Sequence, residues 1–425
     1  MKPNTNIMTN NITNNDFSFL EFKKMASTVD FPNEFAKYIS SFGERYFWQK
    51  GNFHVFTKAK EAKTILTSSD FSADRGSFFI SRMPDMDLNL IVDFFGIVKK
   101  MMVMSDDQDH LQKRKLASLG FEDHILERFT IMIRATVKNI LKICKDKTNG
   151  NAQLEFVESV AKILPSTVLA DLFSIPEVDR ENFYEWSNTM TGFFGGASTY
   201  FNADGIKVNQ AAKSLKSFFE KLIKERRGKN GHDYISILLE SQNDFQFDDE
   251  NLIAQLIMML VAGQVTTTDQ INNCLYQFAT NLDLQIELKK HPELIPSAIE
   301  ECKRFDPAVS FLFRVARNDC EIEGHVIKNG DVIFISNHCI NRDLPDTEDP
   351  NSLNIHRKSV ANHFAYGHGP HYCLGAKLGR LEMKILFEEL IRDFPLFTLD
   401  DKRDSIRDHY SLSFSGFKKI YLNIL

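Results

Sequence analysis

The feature that most constrains this chain is one cysteine, Cys373, set in the glycine-rich run 366–375. Gly367 and Gly369 permit backbone dihedral angles that other residues avoid, and they let the chain pass closely beneath a flat group. The stretch 376–394 that follows is predicted to be a helix. Because free N–H groups at the start of a helix favour negative charge, this position suits a thiolate that binds a metal.

Two other interpretations of Cys373 have to be weighed. Most free cysteines in intracellular proteins are small buried residues without chemistry, although closely spaced Gly, His and Tyr are unusual surroundings for such a residue. A structural zinc site would need several Cys or His ligands at short spacing, and the sequence has no CxxC pair. The remaining cysteines are dispersed, which favours a reducing compartment over disulfides: Cys144, Cys274, Cys302, Cys320 and Cys339. A centre with one thiolate ligand remains, and haem is the commonest of these.

Residues 366–382 resemble the haem-binding signature of the soluble bacterial cytochromes P-450. The family pattern is an aromatic residue followed by G-x-G-x-H-x-C-x-G, and this chain matches it with Tyr366 where Phe is usual. The resemblance implies that Cys373 is the axial ligand of the haem iron and that His371 points at a haem propionate. It also places Tyr366, Gly367 and Gly375 in the haem-binding loop.

The resemblance extends over most of the chain and implies the cytochrome P-450 fold. We therefore expect one domain over 17–425, mainly α with a smaller β part, shaped as a triangular prism with haem between the family's I and L helices. Residues 1–16 are polar and rich in Asn, so we predict a disordered tail that is neither a signal peptide nor a membrane anchor. The net charge of −6 gives no indication of nucleic-acid binding. A cytoplasmic monomer is expected.

A pair of charges upstream of the cysteine, Glu301 and Arg304, matches the E-x-x-R motif of the family's K helix. Their spacing puts both on one face of a helix, where they can pair. Alone, such a motif is more often an ordinary solvated pair. Arg357 occupies the place of the arginine that locks this pair in relatives, so the resemblance implies structural roles for all three residues.

Three further cations match positions that face the haem propionates in the family. His110 and Arg114 form an H-x-x-x-R motif one helical turn apart, and Arg314 lies on a predicted strand. Each could instead be a surface charge. Together they supply the positive charge that a buried dianionic cofactor needs, because unpaired buried charge is costly.

The segment 252–278 is predicted to be a long helix buried in the core, and it is too soon interrupted by polar residues to span a bilayer. Its middle resembles the A-G-x-[D/E]-T-T motif of the family's I helix. The resemblance implies that Ala262 contacts haem, that Gly263 loosens the helix to admit dioxygen, and that Thr266 offers a hydroxyl to the bound oxygen.

One position departs from that motif. Val265 replaces the usual acidic residue, and a valine cannot carry a proton. Gln264 or Asp269 could organise water instead, or a polar group of the substrate could do so. The simpler interpretation is that Thr266 and water suffice. The alternative is a less usual reaction such as coupling, nitration or desaturation.

The substrate site is predicted from the places where relatives have their B–C loop, their lid and two lining segments. These residues are mostly aromatic, and an aromatic stripe can equally be ordinary core. The predicted lining residues are Phe78, Phe79, Phe94, Phe193, Phe194, Val309, Leu312 and Phe414. Such a pocket would suit a hydrophobic or aromatic molecule, or the acyl part of one bound to a carrier protein.

The resemblance as a whole implies a haem-thiolate monooxygenase of secondary metabolism that activates dioxygen with haem b. No flavin or iron–sulfur segment is found, so we expect electrons from NAD(P)H through a separate ferredoxin and its reductase, or a flavodoxin. Lys113, Lys115 and Lys377 are predicted to form a basic patch for that donor. A non-catalytic scaffold, a peroxide-driven enzyme and a haem sensor are less favoured alternatives.

Overall fold

Helices make up most of the molecule. The computed structural model describes residues 30–49, 51–81, 83, 86–148, 153–194, 202–345, 347–358, 360–408 and 413–425. The helices are, in chain order, α1 (Phe31–Ser40), α2 (Ala59–Thr67), α3 (Gly76–Ser81), α4 (Val92–Val98), α5 (Asp107–Ser118), α6 (Asp123–Thr148), α7 (Ile163–Leu172), α8 (Arg180–Phe194), α9 (Asn202–Arg226), α10 (Tyr234–Ser241), α11 (Asp249–Ala279), α12 (Leu282–Lys290), α13 (Ile295–Phe305), α14 (Asn337–Ile340) and α15 (Ala376–Asp393).

The β part is smaller and is built from short strands. They are β1 (Arg45–Trp48), β2 (Phe53–Phe56), β3 (Phe71–Ser72), β4 (Gln153–Glu155), β5 (Phe311–Ala316), β6 (Cys320–Ile322), β7 (His325–Ile327), β8 (Val332–Ser336), β9 (Phe397–Leu399), β10 (Ile406–Arg407), β11 (Phe417–Lys419) and β12 (Tyr421–Ile424). The largest sheet has the order β1-β2-β8-β5-β3. Its β5–β8 pair is antiparallel with Phe313 opposite Phe334, and aromatic side chains form the core on this side.

Helix α11 runs through the main hydrophobic core and packs against α7, α8 and α9. The Asp248 side chain caps it by accepting a hydrogen bond from the Asn251 N–H. By length and composition α11 could also cross a membrane, but 67% of its most apolar window is buried inside the protein. That burial is expected of a core helix in a large domain.

The chain returns to α11 from two directions. Helix α13 leads into β5, and the loop that carries Cys373 leads into α15, which packs against α6 and α13. Helix α15 ends at Asp393 because Pro395 disfavours helical geometry in the residue before it. These connections bring the predicted site residues to the centre of the molecule.

The predicted fold class, mainly α with a smaller β part, is confirmed. The predicted domain start at residue 17 and the predicted disordered tail over 1–16 lie outside the described residues.

Candidate functional site

The loop before α15 is held tightly by its glycines. Gly367 and Gly369 have φ of 74° and 71°, a left-handed conformation that favours glycine. A Cβ at Gly369 would lie 2.7 Å from the Leu66 carbonyl oxygen, so this turn also needs glycine for close approach. The Cys373 N–H donates to the Tyr366 carbonyl at 2.8 Å and closes the loop. The sequence prediction of a tight turn around the cysteine is confirmed at these positions.

Cys373 is exposed, whereas the other five cysteines are buried or half-buried. Burial among protein atoms nevertheless raises the pKa of its thiol, so the side chain lies in an internal cleft and not on the outer surface. The Gly375 N–H and the charges of Arg114, Arg380 and Lys303 oppose that shift and favour the thiolate. A bound metal ion would complete the deprotonation.

Four of the predicted propionate ligands come together beside this cleft. The rings of His110 and His371 lie 3.9 Å apart between centroids. The Nε2 of His110 is buried without a hydrogen-bond partner among the described residues. Arg314 is buried, and its Nη1 donates to the Phe313 carbonyl at 2.7 Å, but no carboxylate of the described residues lies within ion-pair distance. Arg114 is half-buried and likewise lacks a carboxylate partner in the described part of the chain.

The carboxylate next to this cluster is Asp106, which the sequence did not indicate. It accepts hydrogen bonds from the Ala73 N–H at 2.9 Å and from Ser72, and Arg317 lies 2.8 Å away. The Nε2 of His371 is 3.8 Å from it. Burial opposes ionisation, but these partners hold the pKa of Asp106 well below its usual range. Asp106 is therefore committed to other groups and orients His371.

The arginines carry the positive charge of the cluster at neutral pH. Burial and the neighbouring His371 and Arg114 charges lower the pKa of His110 to about 4, so this imidazole is neutral. Burial also lowers the pKa of His371. Burial lowers the pKa of Arg314 to about 10, which still leaves the guanidinium protonated.

One face of α11 is accessible, although the helix is otherwise largely buried. Ala262 is exposed, and Val265, Thr266 and Asp269 are half-buried at the three- and four-residue spacing of one helical face. The Thr266 hydroxyl donates to the Ala262 carbonyl at 2.7 Å. This face is therefore mostly apolar, with a hydroxyl at its middle and a carboxylate one turn further on.

Two of the predicted catalytic residues point away from that face. Gln264 is buried and bonds to Ser187, to Ser166 at 3.0 Å and to Asn188 at 2.9 Å, so the prediction that it organises water was wrong. Its polar groups join α11 to α7 and α8 instead. Gly263 does not interrupt the helix, and a Cβ there would lie 3.3 Å from Leu169. Close helix packing accounts for this glycine without any local loosening of α11.

Asp269 is held by the chain's C-terminal segment. A Cβ at Gly416 would lie 2.1 Å from its Oδ1, so only glycine leaves room for this carboxylate. The start of α15 reaches the same helix, because a Cβ at Gly379 would lie 4.0 Å from Thr267 Oγ1 and 3.9 Å from the Tyr366 hydroxyl. The cysteine loop and the accessible face of α11 thus meet in one region.

The predicted E-x-x-R pair forms a buried ion pair. Arg304 binds both oxygens of Glu301 at 2.8 Å, and Arg357 Nε lies 2.9 Å from Glu301 Oε1. Arg304 also donates to the carbonyls of Pro350 and Ser352. The structure therefore assembles the three residues as the sequence predicted.

The neighbouring Glu300 is the centre of a second network that sequence reasoning missed. Its carboxylate lies 2.7 Å from Lys303, 2.8 Å from Arg380 and 3.3 Å from His363. Burial opposes ionisation, but these partners hold the pKa of Glu300 well below its usual range. The Tyr366 ring lies between the Lys303 and Arg380 cations, with 4.9 and 4.4 Å to its centroid. The E-E-x-K-R string was the available signal, but the distant partners could not be inferred.

A family model for cytochromes P-450 matches residues 45–421. The chain belongs to the cytochrome P-450 family. Members of this family are monooxygenases, so the protein is an oxidoreductase that incorporates molecular oxygen, and its cofactor is haem iron.

Similar P-450 proteins are bacterial. The polyketide biosynthesis cytochrome P-450 PksS of Bacillus subtilis is 31% identical, over 78% of this chain and 79% of the relative. The biotin biosynthesis cytochrome P-450 of the same organism is 31% identical over 73% and 76%. The crystal structure of P-450 BioI with an acyl carrier protein ligated to hexadec-9Z-enoic acid superposes with a TM-score of 0.82. It is 25% identical, covering 94% of this chain and 100% of that chain.

The residues of the cleft fit haem. An accessible thiol matches the single thiolate that a P-450 gives to iron, and a Cβ at Gly375 would point into open space beside it. The buried guanidinium of Arg314 and the unpartnered Nε2 of His110 match the carboxylates of the two propionates. Cys373, His110, Arg114, Arg314 and His371 are thus the residues that would hold the P-450 cofactor.

The predicted substrate residues of this P-450 do not form one cluster. Phe94 and Phe193 contact each other in the main core, 5.0 Å between ring centroids. Phe78 instead packs on Phe334 in the aromatic core of the β part, 5.6 Å between centroids, which favours a core role. Val309 pairs with Phe414 in an isolated β-bridge. Phe79 and Leu312 are half-buried against separate cores, and the side chain of Phe194 lies outside what the structure describes.

The predicted basic patch needs one correction. Lys113 is buried, and its Nζ bonds to Ser105 at 2.7 Å and Asp109 at 2.6 Å, so it cannot contact a redox partner of this P-450. Lys115 and Lys377 are exposed, and Lys377 pairs with Asp123 at 2.7 Å. The spacing on α5 did not reveal which lysine turns inward.

Proposed function

We propose that this P-450 oxidises a hydrophobic or aromatic small molecule in secondary metabolism, by hydroxylation or a related oxygen insertion. The observation that carries the proposal is the accessible face of α11, where Ala262 and Val265 present apolar surface to the cleft beside Cys373. Burial of apolar substrate surface against this face supplies the binding energy. Thr266 offers a hydroxyl at the same place.

Haem b is assigned to the same cleft. When bound, haem supplies the iron that activates dioxygen, and a thiolate ligand favours cleavage of the O–O bond. Cys373 serves as that ligand, and the N–H of Gly375 supports its negative charge. Arg114 and Arg314 bind the propionates, and His371 is oriented toward them by Asp106.

Thr266 handles protons on the distal side in this proposal. Its hydroxyl hydrogen is donated to the Ala262 carbonyl, so its oxygen can accept a hydrogen bond from a water molecule in the cleft. Val265 supplies no proton. Asp269 is the carboxylate on this face, one turn beyond Thr266, and Gln264 takes no part because its polar groups bind Ser166, Ser187 and Asn188.

A second candidate is an atypical oxidation, such as coupling, nitration or desaturation, and Val265 is the observation that favours it. Val265→Asp restores an acid on the accessible face. If hydroxylation is the native reaction, this variant keeps the product and changes only the rate or the coupling of electron use to product. A changed product profile would support the atypical reaction. Unchanged turnover, coupling and products would remove any special role for Val265.

The substrate could also be an acyl chain on a carrier protein, which the likeness to P-450 BioI in complex with an acyl carrier protein favours. Titration of the ferric protein with hexadec-9Z-enoic acid, free and attached to an acyl carrier protein, separates the two forms by the spin-state shift of the Soret band. A shift with the carrier-bound form alone supports this candidate. A shift with the free acid alone rejects it.

The deciding experiment for the main proposal is an optical spectrum of the reduced protein with carbon monoxide. Thiolate ligation gives a strongly red-shifted Soret band, and Cys373→Ser should lose it. Haem-containing wild-type protein without this band would overturn the proposal. Electrons are proposed to come from NAD(P)H through a ferredoxin and its reductase, or through a flavodoxin, and reconstitution with either donor tests that part.

A further inference from the structure

A fifth cationic residue, Arg75, lies beside the predicted propionate ligands. It follows β3 and precedes α3. Its Nη2 makes only long contacts, 3.4 Å to the Val103 carbonyl and 3.6 Å to the sulfur of Met104, and its Cζ lies 5.7 Å from the centroid of the Phe313 ring. Its Nε is buried without a hydrogen-bond partner among the described residues.

No carboxylate neutralises Arg75 within the described residues. Asp74 is nearest in sequence, but its Oδ1 accepts from the Gly76 N–H at 2.9 Å in the local turn. Asp106 is bound to Ala73, Ser72 and Arg317. Both carboxylates act on Arg75 only through space. A guanidinium in these surroundings is costly unless an anion binds it.

Arg75 belongs to the same group of charges as Arg314 and His371. Phe313, below the Arg75 guanidinium, precedes Arg314 on β5. Asp106 bonds to Ala73, two residues before Arg75, and also lies 3.8 Å from His371. The charge of Arg75 acts on both Arg314 and His371. Three guanidiniums, those of Arg75, Arg114 and Arg314, therefore surround one side of the cleft.

We propose that Arg75 is a further propionate ligand, whose guanidinium binds a haem carboxylate together with Arg314. This inference rests on the proposed haem site. A planar guanidinium can donate two parallel hydrogen bonds to a carboxylate, and Arg75 has these donors free of strong partners. Its position on the segment between β3 and α3 would also tie that segment to the bound cofactor.

The test compares Arg75→Gln, Arg75→Lys and a control, Arg180→Gln. Arg180 is a half-buried arginine that already has a carboxylate, Asp171, at 2.5 Å. For each variant, haem loss to excess apomyoglobin and the Tm of the haem-free protein are measured. Arg75→Gln should lose haem about tenfold faster, the factor for one charge-assisted hydrogen bond. Its haem-free form should be at least as stable as the wild type, because an unpaired charge has been removed.

The other variants give the contrast. Arg75→Lys keeps the charge without the planar fork, so its haem loss should fall between wild type and Arg75→Gln. Arg180→Gln should lower the Tm of the haem-free protein and leave haem loss unchanged. The reduction potential should become more negative in Arg75→Gln, because a cation near the haem favours the added electron.

Each contrary outcome has a definite meaning. Haem loss at the wild-type rate in Arg75→Gln would overturn the inference while the haem proposal stands. Equal destabilisation of the haem-free and haem-bound forms would assign Arg75 a purely structural role. Normal haem retention with weaker binding of anionic ligands would make Arg75 a substrate contact and would also overturn it. Failure of the wild type to bind haem would overturn the proposed function itself.

Discussion

Two groups of buried charge lie near Cys373, and they differ in how they are neutralised. On α13, Glu301 is bound by Arg304 and Arg357, and the adjacent Glu300 is bound by Lys303 and Arg380. In the cleft, guanidiniums gather with little opposing charge. Because isolated buried charge is costly, the first group is complete as it stands and the second requires an anionic ligand. Charge pairing thus separates structural residues from ligand-binding ones.

The largest effect should come from breaking the complete group. Glu301→Gln would leave Arg304, which is 1% exposed, without a carboxylate, at a cost of roughly 3–5 kcal/mol in the free energy of unfolding. Urea unfolding measures this. Glu158→Gln is the control, since Glu158 pairs with Lys162 on the surface, where solvent screening limits the effect to at most about 1 kcal/mol. Equal costs for both variants would contradict the distinction between the two groups.

A buried acid without a cation should show the opposite behaviour. Burial raises the pKa of Glu382 from 4.5 to about 8, and its Oε2 has no hydrogen-bond partner in the described residues. The unfolded chain releases this proton near pH 4.5 and the folded protein keeps it to about 8, so stability should fall by roughly 3 kcal/mol across that range. Glu382→Gln should flatten the unfolding curve against pH. An unchanged slope would show that Glu382 is ionised in the folded protein.

In the incomplete group, removing one cation should weaken cofactor binding but not the fold. Arg314→Gln is expected to lose haem about tenfold faster, equivalent to roughly 1.4 kcal/mol, while the haem-free protein keeps its Tm. Haem transfer and thermal unfolding measure the two quantities separately. A large drop in Tm without faster haem loss would place Arg314 with the structural charges.

The smallest structural effect is expected at the surface. Lys377 and Asp123 are both largely exposed, so Lys377→Ala should leave the unfolding curve unchanged. If Lys377 meets an acidic electron donor, reduction should be slower at low salt, and the difference should vanish at high salt. Lys162→Ala, another exposed lysine of an ion pair, is the control. Equal reduction rates at low salt for wild type and Lys377→Ala would exclude this contact.

Local motifs allowed much of the site to be predicted. The glycine turn, Cys373 and the Glu301–Arg304 pair depend on backbone geometry and spacing within one segment. Gln264 was misplaced because a motif does not say which face of a buried helix meets its neighbours. Lys113 was assigned to the surface for the same reason, since α5 turns it toward Ser105.

The sequence by itself determined the family, the thiolate and the helix that faces it, because each is written in contiguous residues whose chemistry is local. Only the tertiary structure decided which charges find partners. Glu300 meets His363 and Arg380 from distant segments, while Arg75, Arg114 and Arg314 converge without a carboxylate. Pairing depends on distances between segments far apart in the chain, and those distances are fixed only when the core packs.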